Sequence, residues 1–338
     1  MSALPNYQAF VGVDIAAATF VAVWQDDRRP QSFAQTPDGW SSFLAALATA
    51  QRSPADTVVV LEATGRYWVA LAVALHAAGY AVAVINPTVS HNYAKTLPRR
   101  SKTDALDARL LRQFAQERQR ELRRWSPPPA VYHELRQRLV ARDALTEMRQ
   151  QARNQRHAIT QWPVQVASVV AQFDAVEADL DGRIAQLDRE ITTSLQDGAW
   201  AESAALLQTI PGIGPATAAW LLVATMNFAL CATPEAAVAY VGLNPLERQS
   251  GRSVRGRPKL ERGGHKRARK ALFMASMSAA QHNPHMQPLY ARLRAKGKPS
   301  KLAHCAVARK LLHVAWAVVT KRQPFDAAYS TLRSGSPM

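Results

Sequence analysis

The sequence predicts three parts: an α/β domain at the N-terminus, a long helical hairpin in the middle and a mostly α-helical domain at the C-terminus. In residues 1–124, short runs of Val, Ile and Leu alternate with apolar helical segments, which is typical of a sheet covered on both faces. Residues 125–200 carry apolar side chains at spacings of three and four, with a break at Pro163. Residues 201–326 are mostly helical in pattern, and 327–338 form a tail.

The elements of the first domain follow from these local patterns. Short β-rich or apolar runs predict strands at 9–14, 19–24, 31–34, 57–61 and 80–85. Helical periodicity predicts helices at 39–50 and 67–78. The breaker cluster Trp125–Pro129 predicts a linker to the next part.

The middle and C-terminal parts are predicted to be helical apart from one loop. A helix at 130–160 and an amphipathic stripe from Val166 to Leu195 predict an antiparallel coiled-coil hairpin, or dimerisation arm, around Pro163. Further helices are predicted at 204–225 with a turn at Pro211–Gly214, and at 234–241, 266–281, 286–295 and 301–321. The Gly-rich, basic segment 242–264 is predicted to be a loop.

The charge distribution favours a polyanionic partner for the C-terminal part. The chain has 42 Lys and Arg against 25 Asp and Glu, a net charge of +17, of which residues 201–338 carry +15 (20 basic, 5 acidic). Such a surface binds nucleic acid or an anionic membrane, and the sequence offers neither a signal peptide nor an uninterrupted membrane span. Two cysteines, Cys231 and Cys305, are too few for a disulfide framework, which favours the cytoplasm.

Four carboxylates form the first candidate site. Asp14 and Glu62 end predicted strands, and Asp104 and Asp107 lie three residues apart at the start of a predicted helix. Carboxylates that converge at one edge of an α/β sheet repel each other unless a divalent cation lies among them, and hard oxygen ligands suit Mg²⁺ or Mn²⁺. The alternative is structural: Asp104 favours a helix N-terminus, Asp14 caps a turn and Glu62 pairs with Arg66.

The basic loop forms the second candidate site. Between Arg248 and Lys270 lie ten basic residues and one acid, interspersed with glycines that let the backbone approach a phosphate. A serine among arginines is suited to attack a phosphodiester, which makes Ser250 and Ser253 candidate nucleophiles. The alternative is that the loop only binds the nucleic-acid backbone.

Nucleic-acid contacts are also predicted around these sites. Gly212 and Gly214 lie in a hairpin between two apolar helices, either as a helix-hairpin-helix element that presents backbone N–H groups to a phosphate or as an ordinary tight turn. The predicted basic contacts are Arg248, Arg252, Arg255, Arg257, Lys259, Lys266, Arg267, Arg269 and Lys270.

Taken together, these motifs resemble the insertion-sequence-110 family of DEDD transposases, which is related to the pilin-gene invertases and includes bridge-RNA-guided recombinases. The resemblance covers residues 9–326. It rests on motifs that occur in the family's order: Gly12–Asp14, Leu61–Gly65, Val84–Pro87, Lys102–Ala108, Ile210–Gly214, Ala239–Pro245 and Gln249–Gly256.

The resemblance implies a fold, a chemistry and an assembly. The N-terminal domain would be RuvC-like, an RNase H-type fold whose Asp14, Glu62, Asp104 and Asp107 bind Mg²⁺. The C-terminal transposase domain would form a transient phosphoserine link to DNA through Ser250, in an active site shared between protomers. The family's partners would be donor and target DNA, a guide RNA encoded by the element and other copies of the chain, as dimers that join into a tetramer. A rival hypothesis is a two-metal, structure-selective nuclease of the Holliday-junction-resolvase type.

Overall fold

The computed structural model describes residues 7–24, 29–97, 103–250, 254–260 and 263–328, with the backbone alone at 246–250 and 254–260. The chain divides into two compact units, Met1–Pro127 and Pro128–Met338. The first boundary lies three residues beyond the predicted one, and the further division at residue 200 stays a prediction.

A six-stranded mixed sheet forms the centre of the N-terminal unit. Its strands are β1 (Ala9–Ile15), β2 (Thr19–Val23), β3 (Gln31–Ala34), β4 (Thr57–Glu62), β5 (Ala81–Ile85) and β6 (Arg124–Trp125). The order is β3-β2-β1-β4-β5-β6: β1, β4 and β5 run parallel, while β2, β3 and β6 pair antiparallel to their neighbours. The predicted α/β architecture is therefore confirmed, and Trp125, which was assigned to the linker, belongs to the sheet.

In the described residues of this unit, four helices cover the sheet, with an apolar cluster on each face. They are α1 (Pro37–Thr49), α2 (Trp68–Ala77), α3 (Pro87–Ala94) and α4 (Asp104–Glu117). Helix α4 crosses β1 at Gly12, where a side-chain carbon would collide with the carbonyl oxygen of Ala108 and the backbone of Arg112. Only glycine permits this close approach, which brings the start of α4 towards the end of β1.

Two long antiparallel helices, α5 (Ala130–Thr160) and α6 (Ala167–Gln196), form the arm of the second unit. Arginines of α5 pair with acids of α6 along its length: Arg138 with Glu190, Arg142 with Asp188, Arg149 with Asp181, Arg153 with Glu177 and Arg156 with Asp174. These partly exposed pairs add little stability individually, and together they set a basic face of α5 against an acidic face of α6.

The apolar stripe of α6 is buried only towards its C-terminal end. Leu180, Ile184, Ile191 and Leu195 are buried, whereas Val166, Val169 and Val176 are 40–54% exposed. The predicted amphipathic stripe from Val166 to Leu195 is therefore buried within this chain mainly from Leu180 onwards. The buried end, with Leu135 and Leu139 of α5, joins the core of the C-terminal helices.

Among the described residues after 200, the helices around that core are α7 (Ala201–Gln208), α8 (Pro215–Thr225), α9 (Pro234–Val241), α10 (Lys266–His282), α11 (Met286–Ala295) and α12 (Ser300–Lys321). Within the described ranges, α12 is the one helix long and apolar enough to cross a membrane by length and composition. Eight of its residues are buried in the protein core, which accounts for its apolar character.

The segment predicted as the loop 242–264 contains a β-hairpin instead. Strands β7 (Pro245–Ser250) and β8 (Val254–Leu260) pair antiparallel, with a register shift between Leu246 and Arg248. Residues of low strand propensity, such as Gly and Pro, are frequent in this segment, so its local sequence does not predict strands. The strands are defined by the antiparallel pairing of β7 with β8. We refer to β7 and β8 as the serine hairpin.

Candidate functional site

Strand register and helix capping bring the four predicted carboxylates to one edge of the sheet. In the parallel pair β1–β4, Val13 lies opposite Leu61, so Asp14 and Glu62 follow at equivalent positions. Asp104 and Asp107 occupy the first turn of α4, whose N-terminus is capped by the Thr103 side chain accepting from the Leu106 N–H at 3.3 Å. We refer to these four residues as the carboxylate cluster.

The pKa of Asp14 reflects the convergence of the cluster. Burial, and then the negative charges of Asp107, Asp104 and Glu62, raise it from 3.8 to about 6. All three other carboxylates are therefore close enough to act on Asp14 electrostatically, although the four come from β1, β4 and α4.

The hydroxyl groups of Thr64 and Ser90 hold the Glu62 carboxylate, and neither residue was predicted from the sequence to belong to the site. Thr64 Oγ1 donates to Glu62 Oε1 and Ser90 Oγ donates to Glu62 Oε2, each at 2.7 Å. Thr64 lies within the motif Leu61–Gly65, which offered a signal for it. Ser90 is buried on α3, a helix that the sequence analysis did not predict, so nothing pointed to it.

The carboxylate cluster has the donor chemistry of a divalent-cation site. Carboxylate oxygens are the ligands that Mg²⁺ and Mn²⁺ prefer, and a cation would relieve the repulsion that raises the pKa of Asp14. In the part of the chain with described side chains, no three His, Cys, Asp or Glu residues lie close enough to hold a metal ion. Repulsion between the carboxylates opposes a tighter arrangement until a cation neutralises it. The residues thus fit the ion, but they would have to draw together around it.

Ser250 lies at one end of the serine hairpin. It is the last residue of β7 and pairs with Val254, the first residue of β8. The predicted basic contacts of this region that fall on the strands are Arg248 on β7 and Arg255, Arg257 and Lys259 on β8. Arg252 and Ser253 lie outside the described residues.

The opposite end of the hairpin is fastened by Arg269 of α10. Its Nη1 donates to the carbonyl oxygens of Val241 (3.1 Å) and Gly242 (3.3 Å) before β7, and of Gly263 (2.7 Å) after β8. Gly242 has φ +81°, and a side-chain carbon there would collide with the guanidinium and with the Gly263 carbonyl. We call residues 241–242 and 263–265 the hairpin neck. Arg269 therefore clamps the backbone of the neck, and its predicted contact with nucleic acid stays a prediction.

His265 completes the neck. Its N–H donates to the Tyr240 carbonyl at 3.1 Å, and its Nδ1 accepts from the Ala268 N–H at 3.2 Å as the N-cap of α10. Burial, and then the positive charge of Arg136, lower the pKa of His265 below its usual value, which favours the neutral ring that this cap requires.

Replacing Arg269 with Met should loosen the serine hairpin without unfolding the protein. The variant loses three hydrogen bonds from a charged donor, so backbone amides at 245–260 should exchange roughly tenfold faster or more, equivalent to about 1.4 kcal/mol. Hydrogen exchange followed by mass spectrometry measures this. Lys270→Met is the matched control, because Lys270 is exposed and only pairs with Glu147 at 3.7 Å. Equal exchange in both variants would contradict the clamp.

The remaining predicted basic contacts differ in their surroundings. Arg267 lies over the Trp220 ring at 5.6 Å and pairs with Asp143 at 3.6 Å. Lys270 pairs with Glu147, whereas Lys266 is exposed and has no ion pair within the described part of the chain. Arg267 and Lys270 are still exposed enough to meet a phosphate. Nucleic-acid contact by Lys266, Arg267 and Lys270 therefore stays a prediction.

The turn between α7 and α8 packs onto α10. A side-chain carbon at Gly212 would collide with Ala279, and the Asn283 side chain donates to the Pro211 carbonyl at 3.1 Å. Gly214, the N-cap of α8, is exposed. Phosphate binding by Gly212 and Gly214 stays a prediction, and packing already explains the glycine at 212.

Comparisons with known proteins cover both units. A DEDD transposase model of IS110 elements, described as "Transposase", matches residues 11–161, and a model described as "Transposase IS116/IS110/IS902 family" matches 204–291. The chain is 30% identical over 332 residues to the pilin gene-inverting protein of Moraxella bovis, covering 94% of this chain and 98% of that one. It is 29% identical over 323 residues to the pilin gene-inverting protein of Moraxella lacunata, with the same coverage. An uncharacterized 42 kDa protein of insertion element IS900 from Mycobacterium paratuberculosis is 29% identical over 182 residues, or 54% of this chain and 45% of that one.

Proposed function

Because the chain belongs to the IS110 family of transposases and is thus a DNA transposase or recombinase, we propose that it cuts and rejoins donor and target DNA through a transient phosphoserine at Ser250, assisted by Mg²⁺ on the carboxylate cluster. Mn²⁺ would serve in place of Mg²⁺. The observation that carries the proposal is the placement of Asp14, Glu62 and the first turn of α4, with Asp104 and Asp107, at one edge of the sheet; the raised pKa of Asp14 agrees with it. Ser250, at the end of an arginine-rich hairpin in the same chain, adds the nucleophile.

The proposed serine step conserves the energy of the phosphodiester bond. Ser250 Oγ attacks the phosphorus, a bond from Oγ to phosphorus forms, and the bond to the 3′ oxygen breaks. The serine proton ends on the departing 3′ hydroxyl, and the 5′ phosphate stays on the serine. A 3′ hydroxyl of the partner strand reverses the step and returns the proton to the serine, so strands are exchanged without ATP.

Each side of the proposed site has its own role. Asp14, Glu62, Asp104 and Asp107 would hold the cation, which, when bound, supplies positive charge for the developing oxyanion. Thr64 and Ser90 would act on Glu62 by fixing both of its oxygens. The arginines of the serine hairpin would bind the DNA backbone and offset its charge.

The proposal extends to fold and assembly. The sheet order, with an antiparallel β3-β2-β1 meander beside parallel β4 and β5, supports a RuvC-like, RNase H-type N-terminal domain. The arm would be a coiled coil that dimerises or holds RNA, and dimers would pair into a tetramer on two DNAs. The protein would act in the bacterial cytoplasm, on nucleoid DNA.

The proposed guide RNA can be tested by depletion. We expect protein expressed with the non-coding DNA that flanks its gene to recombine two plasmids. Nuclease digestion of the co-purified RNA should lower product by at least about 100-fold, and the transcribed RNA should restore it, because base pairing would supply the sequence recognition that a backbone-binding surface lacks. Quantitative PCR across the new junctions measures this. Full recombination by RNA-free protein would exclude a guide RNA and leave the serine chemistry untouched.

A further inference from the structure

The turn between α11 and α12 carries a dense group of exposed positive charges. Arg292, Arg294, Lys296, Lys298 and Lys301 fall within ten residues, and all five are exposed. From 286 to 322 the sequence has nine Lys or Arg and no Asp or Glu. We refer to residues 292–301 as the cationic turn.

The charges of the cationic turn have no acidic partners within the described part of the chain. The ion pairs found there involve none of these five residues, whereas five arginines of the arm each face a carboxylate of α6. Five uncompensated cations in one short segment repel each other, so the turn favours a polyanion.

Hydrogen bonds and ring contacts fix the shape of the cationic turn. Arg294 Nη1 donates to the Lys298 carbonyl oxygen at 2.7 Å, which closes the segment. The hydroxyls of Tyr290 and Ser300 lie 3.1 Å apart, and the Tyr290 ring packs on His304 with centroids 4.6 Å apart. The cations are therefore presented on an ordered scaffold rather than on a free chain.

The cationic turn lies beside the helix that fastens the serine hairpin. His304 contacts Phe273 of α10, with ring centroids 5.9 Å apart, and lies 3.4 Å from Ser276 Oγ. Phe273 is seven residues from the start of α10 at Lys266, a distance of about 10 Å along the helix axis. The cationic turn and the hairpin neck therefore lie against the same helix, α10.

We propose that the cationic turn is a second nucleic-acid surface, which binds the phosphate backbone of duplex DNA in addition to the contacts made at the serine hairpin. Lys296, Lys298 and Lys301 would contact phosphates as point charges, and Arg292 would do so through its fork. Arg294 would shape the turn. The inference rests on the chain acting on DNA and not on Ser250 being the nucleophile.

The test measures the salt dependence of binding by the full-length chain. A fluorescent 30-base-pair duplex DNA of arbitrary sequence is titrated at several salt concentrations with wild type and with a Lys296→Gln/Lys298→Gln variant. Each lost phosphate contact lowers the slope of log K against log salt by about 0.9, so the variant should lose nearly two and bind several-fold more weakly. Lys310→Gln/Lys321→Gln is the matched control, since it removes two exposed lysines of α12 outside the turn.

Each outcome decides the proposal. A larger loss of slope in the turn variant than in the control supports it, and parallel titrations with a hairpin RNA show whether DNA, RNA or both bind there. Equal losses in both variants would mean diffuse attraction by net charge and would overturn it. Unchanged DNA and RNA binding with loss of binding to anionic lipid vesicles would assign the turn to a membrane surface and would overturn it as well. None of these readouts needs strand cleavage, so they stand whether or not Ser250 is catalytic.

Discussion

Ser250→Ala should abolish strand exchange while leaving nucleic-acid binding within about twofold of wild type. The substitution removes the one atom that would form the bond to phosphorus. The expected loss of junction product is on the order of 10⁴-fold or more, to the background of the assay. Recombination between two plasmids and a gel for the covalent protein–DNA adduct measure it.

Ser253→Ala is the matched control for that experiment, because it changes the other candidate serine in the same basic segment. It should keep at least about a tenth of the activity. Continued strand cleavage by Ser250→Ala, with no adduct in either variant, would contradict the proposal and favour the rival nuclease, in which water attacks and metal ions do the activation.

Asp14→Asn should lower metal-dependent recombination by about 10³-fold or more, since it removes one charge from the carboxylate cluster.

The same variant should be more stable than wild type at pH 7.5 without divalent cations. The folded-state pKa of Asp14, about 6, is raised from 3.8. The contribution of Asp14 to the free energy of unfolding is therefore greatest below pH 3.8 and is lost as the pH rises through 6, a loss of at most about 3 kcal/mol. Asparagine avoids this cost.

Thermal unfolding with and without Mg²⁺ measures the stability half of this prediction. Wild type should gain more from Mg²⁺ at pH 7.5 than at pH 5, where Asp14 is mostly protonated, and Asp14→Asn should gain less at pH 7.5. Asp38→Asn, an exposed acid in the first turn of α1, is the control and should leave the Mg²⁺ response unchanged. An equal gain for wild type and Asp14→Asn would contradict a cation at this cluster.

Local sequence patterns were sufficient to predict most of the helices and to predict that the four carboxylates lie near one another. The bounds 130–160, 234–241 and 286–295 coincide with α5, α9 and α11 because capping residues or prolines mark their ends. Asp14 and Glu62 could be placed at one edge because each follows a buried strand. Helix α3 was missed, since Asn86–Pro87 indicated only a stop. In the structure the Asn86 side chain caps a new helix, and proline occupies its first position.

The roles of individual basic residues could not be predicted from the sequence. Arg269 sits in a run of cations and is indistinguishable there from Lys266 or Lys270, yet its guanidinium fastens the hairpin neck. That role depends on the carbonyl groups of Val241 and Gly242, which lie 28 and 27 positions before Arg269, and on the close approach of Gly242 to Gly263. Contacts between such distant positions leave no pattern in the local sequence. The cationic turn was not predicted, because its charges match no sequence motif. It is recognised only in the structure, where its five cations have no acidic partner in the described part of the chain.

The most direct test of the phosphoserine mechanism is to identify the residue that becomes bonded to DNA. A DNA substrate whose cleaved strand cannot be resealed traps the covalent complex with the wild-type protein, and proteolysis followed by mass spectrometry locates the attached nucleotide. We expect a 5′-phosphate linked to Ser250, with the signal lost in Ser250→Ala and retained in Ser253→Ala. A nucleotide on any other residue, or cleaved DNA without a linked peptide, would contradict it.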